Sequence, residues 1–90
     1  MKLIWRGTAL NQLKAIISYI AERNVAAARR LQEDIEACAE RLPDHPFMYR
    51  RGRVPDTREA VVHPNYILVY HVGSDTIEIV SVMHSRRQYP

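Results

Sequence analysis

Cysteine is almost missing from this sequence, because its 90 residues include a single one, Cys38. One thiol forms neither a disulfide nor a cysteine-based zinc site within a chain, and this scarcity is typical of proteins in a reducing compartment. Long hydrophobic runs are missing too, since polar residues interrupt every apolar stretch well before the roughly eighteen residues that span a bilayer. We therefore expect a soluble, cytoplasmic protein with no membrane partner.

Glycine is scarce, with three residues, and none of them belongs to a glycine-rich loop that cradles phosphate groups. The sequence also has no serine nucleophile elbow and no paired-carboxylate motif. The spacing typical of a metal site is not found among its four histidines, His45, His63, His71 and His84. These absences disfavour a cofactor-dependent enzyme, so we expect no cofactor and no metal.

What the chain does contain is the composition of one folded domain. Hydrophobic residues make up 47% of it and charged residues 26%, a balance typical of globular proteins. A chain of this length supports one core, so residues 1–90 are predicted to form a single domain. The formal net charge of +3 permits an acidic partner or a nucleic acid without requiring either.

Apolar periodicity predicts a short strand followed by two helices. Residues 2–6 alternate as a strand does, and Thr8 is predicted to cap the first helix. The apolar stripe of this helix consists of Leu10, Leu13, Ile16, Ile17 and Ile20. Asn24 tolerates the left-handed conformation and is predicted to end it. A second stripe continues from there until Pro43, which has no backbone N–H to donate, stops the second helix.

After the helices the composition changes to that of a loop, with at most a ragged edge strand over Met48 to Arg53. The period then drops to two, and turn residues separate three strands of an antiparallel meander, Thr57 to His63, Tyr66 to Val72 and Thr76 to His84. The N-terminal strand is expected to pair with one of them. The element order predicts an α+β fold in which this strand and a helical hairpin pack on an antiparallel sheet. The sheet face away from the helices either stays wet or receives a partner.

Arginine is the charged residue that clusters. Four arginines lie before or at the start of the meander and two follow it, at Arg50, Arg51, Arg53, Arg58, Arg86 and Arg87. If the third meander strand ends where the first begins, the two groups converge on one end of the sheet. Guanidinium groups bind phosphate oxygens bidentately, so these residues are a candidate site for a target or a nucleic acid. The alternative is a solvated loop whose arginines only aid solubility.

His84 ends the last predicted strand, and Tyr89 follows it near the C-terminus. Imidazole acts as a general acid or base at neutral pH, and a tyrosine hydroxyl beside arginines can do the same. Metal-free RNA cleavage needs a base, an acid and cations for the phosphorane, so both residues are candidates for proton transfer. The alternative is that the histidine only bonds to the backbone and that the tail frays.

Four segments then stand out in order along the chain. They are Met1 to Trp5 leading into the helical hairpin, Gly52 to Glu59, Tyr66 to Val72, and Ile77 to His84 with Arg87 to Pro90 after it. At this spacing they resemble the RelE/ParE family of toxins from bacterial type II toxin-antitoxin systems. The resemblance spans nearly the whole chain. It implies a compact toxin neutralised by a cognate antitoxin, which lies across its groove and sheet.

The resemblance also implies two target classes. RelE-like members cleave messenger RNA on the ribosome with basic residues on the sheet and an arginine and a tyrosine near the C-terminus, while ParE-like members inhibit DNA gyrase and lack that set. Arg58, Arg86 or Arg87, and Tyr89 match the ribonuclease set. Ala60 and Ile67 depart from it, because they stand where that set has cations.

We therefore expect a growth-arresting toxin, closer to the ParE-like branch, that inhibits DNA gyrase without catalysis. The alternative is a ribosome-dependent mRNA endoribonuclease, in which His84 or Tyr89 transfers protons and Arg58 and Arg86 bind phosphate. A third interpretation is an inactive relative that only binds, which expression in cells distinguishes because it does not stop growth.

Overall fold

Two helices and five strands make up residues 1–86, the part of the chain that the structure, a computed structural model, describes. The helices are α1 (Gly7–Ala21) and α2 (Val25–Arg41), and neither is long and apolar enough to span a membrane. The strands are β1 (Lys2–Trp5), β2 (Arg50–Arg51), β3 (Thr57–His63), β4 (Tyr66–Val72) and β5 (Thr76–His84). The three predicted meander strands are confirmed at both ends, whereas the ragged edge strand shrinks to the two residues of β2.

The five strands form one sheet in the order β1-β5-β4-β3-β2. β3, β4 and β5 are the predicted antiparallel meander, and β2 pairs antiparallel with β3. β1 lies parallel to β5, with Lys2 opposite Thr76 and Trp5 opposite Ile79. The α+β fold is therefore confirmed, and the N-terminal strand does pair with a later one.

The helix boundaries differ from the prediction at two residues. Thr8 does not cap α1, because the helix already begins at Gly7, and its N-cap residue Arg6 makes no side-chain capping hydrogen bond. Asn24 is not left-handed, since its φ is −158°. Its side-chain oxygen accepts a hydrogen bond from the backbone N–H of Ala27 at 3.0 Å, so Asn24 begins α2 instead of ending α1.

The main core lies between the helices and one face of the sheet. Its largest fully enclosed side chains are Tyr70 of β4 and Ile35 of α2. The remaining members come from both helices, the turn after α2 and the three long strands: Ala9, Leu13, Leu31, Cys38, Ala39, Leu42, Ala60, Leu68, Ile77, Ile79 and Val82. Burying one leucine or isoleucine side chain contributes about 2 kcal/mol, so this layer is the main source of stability.

The sheet face away from the helices is not bare at its centre. Ile67 and Val69 of β4 and Met83 of β5 form a second buried cluster, with Val80 packed against it. The expectation that this face is either wet or occupied by a partner is therefore wrong for its middle. Alternation along a strand tells which side chains share a face, but not whether that face is shielded.

A bulge in β5 is the point where α1 is fixed to the sheet. The register between β4 and β5 shifts at Val80, which has no partner on β4. Gln12 of α1 reaches this irregular stretch, where its Oε1 accepts hydrogen bonds from the Val82 N–H at 2.9 Å and from the Ser81 hydroxyl at 3.0 Å. The pairing of β1 with β5 ends at Ile79, so Gln12 supplies an acceptor to β5 beyond the last residue that β1 reaches.

Candidate functional site

A tight turn joins β2 to β3 and explains the Gly52 to Glu59 segment of the sequence. The Gly52 N–H donates to the Thr57 carbonyl at 2.7 Å, which closes the turn. Pro55 and Asp56 form its tip, and Asp56 has the positive φ, 64°, that a type II turn needs after its proline. A Cβ at position 52 would overlap the Thr57 hydroxyl, so the close approach requires glycine. The turn holds the arginines on either side of it at fixed places.

Strand alternation divides the arginines of this hairpin between the two faces of the sheet. Arg50 lies opposite Glu59, and Arg51 lies opposite Arg58. Since successive side chains point to opposite faces, Arg50 shares one face with Glu59, and Arg51 shares the other with Arg58. The arginines that form one run in the sequence therefore form two groups, one on each face of the sheet, with different charged neighbours.

The first group is built around Glu59, which is 2% exposed. Arg50 donates from Nη2 to Oε1 at 3.1 Å, and Arg53 donates to Oε2 from its backbone N–H at 3.0 Å and from Nε at 3.3 Å. A buried carboxylate is tolerated only when it is paired and hydrogen-bonded, which these contacts achieve. Val69 lies opposite Glu59 on β4, so this group shares the sheet face of the second buried cluster.

Arg58, in the second group, ties β3 to the loop between α2 and β2. Its Nη1 donates to the Tyr49 carbonyl at 2.8 Å, and its guanidinium carbon lies 4.9 Å from the centroid of the Phe47 ring, a cation–π contact. Opposite it on β4, burial raises the pKa of Tyr70, and the positive charge of Arg58 opposes that shift. The Tyr70 hydroxyl donates to the Pro46 carbonyl at 2.9 Å and so fixes the same loop.

Arg86 does not meet these arginines. In an antiparallel meander the third strand runs parallel to the first, so β5 ends beside the end of β3 and not beside its beginning. The register puts Arg58 opposite Tyr70 and His84 opposite Tyr66, a separation of about 13 Å along the sheet. The expectation that the arginines after the meander converge with those before it is therefore wrong for Arg86.

His84 lies at the end of β5 between an aromatic ring and the backbone. Its imidazole meets Tyr66 edge to face with ring centroids 5.4 Å apart, and its Nδ1 accepts from the Arg86 N–H at 3.2 Å. With Nδ1 as the acceptor, the arrangement favours the neutral tautomer that carries its proton on Nε2. The backbone-bonded histidine of the alternative interpretation is thus present. Arg87 and Tyr89, the other candidates in this tail, lie outside the described residues.

Ala60 and Ile67 are structural positions. Ala60 is 0% exposed in the main core, and Ile67 is 1% exposed in the second cluster. A cationic side chain at either place would have to displace packed neighbours. Within residues 1–86 no group of three or more His, Cys, Asp and Glu side chains is placed to hold a metal ion.

Two contributors to the site, Glu59 and Phe47, were not singled out from the sequence. Glu59 has the ordinary pattern of a polar strand residue, and its role depends on pairing with β2, which is too short to be recognised from periodicity. Phe47 sits in a proline-rich loop that carries no periodic signal. Its one sequence signal is that an aromatic residue is unusual in such a loop.

Comparison with known proteins shows which family this chain resembles. Residues 3–89 match the family described as ParE toxin of type II toxin-antitoxin system, parDE. The Y4kP protein of Sinorhizobium fredii is 34% identical over 90 residues, which are 99% of this chain and 93% of that protein. Toxin RelE2 of Caulobacter vibrioides is 33% identical over 88 residues, which are 96% of this chain and 97% of that toxin.

A solved structure has the same fold. A chain of the chromosomal ParDE TA system from P. aeruginosa superposes with a TM-score of 0.82 at 20% identity, covering 93% of this chain and 95% of that one. The family match covers nearly every residue, and it agrees with the resemblance seen in the sequence. This chain therefore belongs to the RelE/ParE family of type II toxins, matching its ParE toxin branch, and the family implies a cognate antitoxin as its partner.

Proposed function

We propose that this toxin arrests bacterial growth by binding and inhibiting DNA gyrase, and that its antitoxin neutralises this activity. The observation that carries the proposal is the buried, apolar state of Ala60 and Ile67. As the resemblance implies, the ribonuclease branch has cations at these two positions. A chain that packs both into its interior lacks the charges that would stabilise a phosphate group during cleavage.

The placement of the arginines supports a binding mechanism as well. Arg58 and Arg86 match the phosphate-binding positions of a ribonuclease, yet they occupy opposite ends of the meander. Catalysis at one phosphate requires its cations to converge within hydrogen-bonding distance of it. Arginines held at opposite ends of the meander serve a broad protein or nucleic-acid surface better than one scissile bond.

His84 gives the third support. A general base must offer a lone pair to the proton that it removes, and in the neutral His84 ring that lone pair belongs to Nδ1, which accepts from the Arg86 N–H. The ring is also held by its contact with Tyr66. Its role in this arrangement is to order the end of β5 and the backbone that follows.

The second candidate function is a ribosome-dependent mRNA endoribonuclease. The name of the relative Toxin RelE2, at 33% identity, favours it, and so does the proximity of His84 to Arg86. In this mechanism His84 or Tyr89 transfers protons while Arg58 and Arg86 bind phosphate. This mechanism requires His84 to give up the hydrogen bond that Nδ1 accepts and to adopt the tautomer in which Nε2 has the free lone pair.

Two reactions with the purified toxin separate the candidates. In the first, gyrase converts relaxed plasmid to supercoiled plasmid with increasing toxin present, and we expect supercoiling to be lost. In the second, ribosomes carrying a defined message receive the same toxin, and we expect no new RNA ends. Toxin pre-mixed with its antitoxin is the control for both. Cut message together with undisturbed supercoiling would refute the proposal in favour of the endoribonuclease.

A further inference from the structure

Arg51 and Arg58 are two cations placed directly opposite each other on paired strands. Like charges in this position repel and destabilise the pairing. Among residues 1–86, neither guanidinium forms an ion pair with a carboxylate. One residue earlier on β2, Arg50 faces Glu59 and is paired with it. The hairpin thus pairs Arg50 and Arg53 with a carboxylate on one face, whereas Arg51 and Arg58 on the other face are uncompensated by any carboxylate of the described residues.

An exposed aromatic side chain adjoins the uncompensated pair. Phe47 is 63% exposed, and the guanidinium of Arg58 lies over its ring. Met48, the next residue, is 53% exposed. Large apolar side chains next to arginine are the composition that carries most binding energy in protein interfaces. Phe47, Arg51 and Arg58 are named here the Arg51 patch.

We infer that the Arg51 patch receives a segment of the antitoxin that places a carboxylate between Arg51 and Arg58 and an apolar side chain against Phe47. A carboxylate there converts a repulsive pair into two charge-assisted contacts, which is the charge complementarity that the free toxin lacks. A nucleic acid fits less well, because two cations beside exposed apolar side chains are few for a phosphate backbone. The inference rests on family membership, which implies the antitoxin, and not on gyrase as the target.

The test is the affinity of purified toxin for its purified antitoxin, measured for Arg51→Gln and for Arg50→Gln. Both variants remove one positive charge from the same strand, so long-range attraction falls equally. We expect Arg51→Gln to weaken the complex about tenfold or more, since a hydrogen bond between charged groups is lost, and Arg50→Gln to weaken it less than about threefold. Phe47→Ala, which removes the apolar contact, should also weaken it about tenfold.

The melting temperature of the free toxin distinguishes a binding role of Arg51 from a structural one. Because Arg51 repels Arg58 in the free toxin, Arg51→Gln should leave its melting temperature unchanged or raise it, while a structural arginine would lower it. Equal losses of affinity for Arg50→Gln and Arg51→Gln would overturn the inference, since net charge would then account for both. Unchanged antitoxin affinity together with lost toxicity would also overturn it and assign the patch to the target. Neither outcome depends on whether that target is gyrase.

Discussion

Replacing Glu59 with glutamine tests how the hairpin is held together. The substitution keeps the size of the side chain and removes the one negative charge that Arg50 and Arg53 share. The carboxylate that accepts three hydrogen bonds becomes a neutral amide. One of its two oxygens is replaced by an NH₂ group, which is a donor that faces the donors of a guanidinium or a backbone N–H.

The size of the effect follows from the burial of the three groups. Glu59 is 2% exposed, but the side chains of Arg50 and Arg53 are 61% and 44% exposed, so water screens part of each interaction. A fully buried pair broken on one side costs about 3–5 kcal/mol, and an exposed pair about 0–1 kcal/mol. We expect the free energy of unfolding to fall by about 2 kcal/mol, which lowers Tm by about 8–16 °C in a domain of this size.

Thermal and urea unfolding followed by circular dichroism measure this, with Glu78→Gln as the matched control. Glu78 also pairs with an arginine, Arg6, at 2.7 Å, but their side chains are 33% and 47% exposed. Its loss should cost less than about 1 kcal/mol. If the two variants lose equal free energy of unfolding, the burial of Glu59 does not strengthen its ion pairs. That result would refute the role given to Glu59 in the hairpin.

Three further predictions concern α1, the core and the tail. Gln12→Ala leaves the Val82 N–H without its acceptor and should lower the free energy of unfolding by about 1–3 kcal/mol in urea melts, whereas an unchanged midpoint would show that water replaces it. Burial raises the pKa of Tyr70, so the unfolded chain loses this proton first as pH rises, and the stability that Tyr70 contributes is present below about pH 10 and lost above it. The advantage of the parent over Tyr70→Phe in free energy of unfolding should therefore stay constant up to about pH 9 and narrow as the pH rises past about 10, and a widening gap would contradict the assignment. His84→Gln should leave toxicity within about threefold of the parent in a growth assay, because the ring is held by the Arg86 N–H, whereas general acid–base catalysis predicts a loss of about a hundredfold or more.

The meander was predictable because its signals are local. Alternating apolar residues define β3, β4 and β5, and Pro64-Asn65 and Gly73-Ser74-Asp75 separate them. Each signal depends on near neighbours in the chain, so strand ends could be read without knowing the sheet. Pairing of β1 with one of the later strands was predictable, but its partner β5 was not, because no local feature of the chain identifies that strand.

The site was harder to predict because it depends on contacts between distant segments. The division of the arginines follows from the register of β2, a strand of two residues that periodicity cannot detect. The separation of Arg86 from Arg58 follows from strand direction, which a correct count along the meander would have shown. Glu59 and Gln12 act through hydrogen bonds to residues on other segments, and such contacts leave no pattern in a sequence.

We propose that this toxin stops growth by binding gyrase and not by cutting message. The most direct test of this claim is the topology of a reporter plasmid, taken from cells that express the chain without antitoxin and resolved on chloroquine gels, with 5′ ends of abundant messages mapped in the same cells. We predict arrested growth, loss of negative supercoiling and no new message ends, all reversed by co-expressed antitoxin. Arrested growth with normal plasmid topology and new ends within translated messages would contradict the claim.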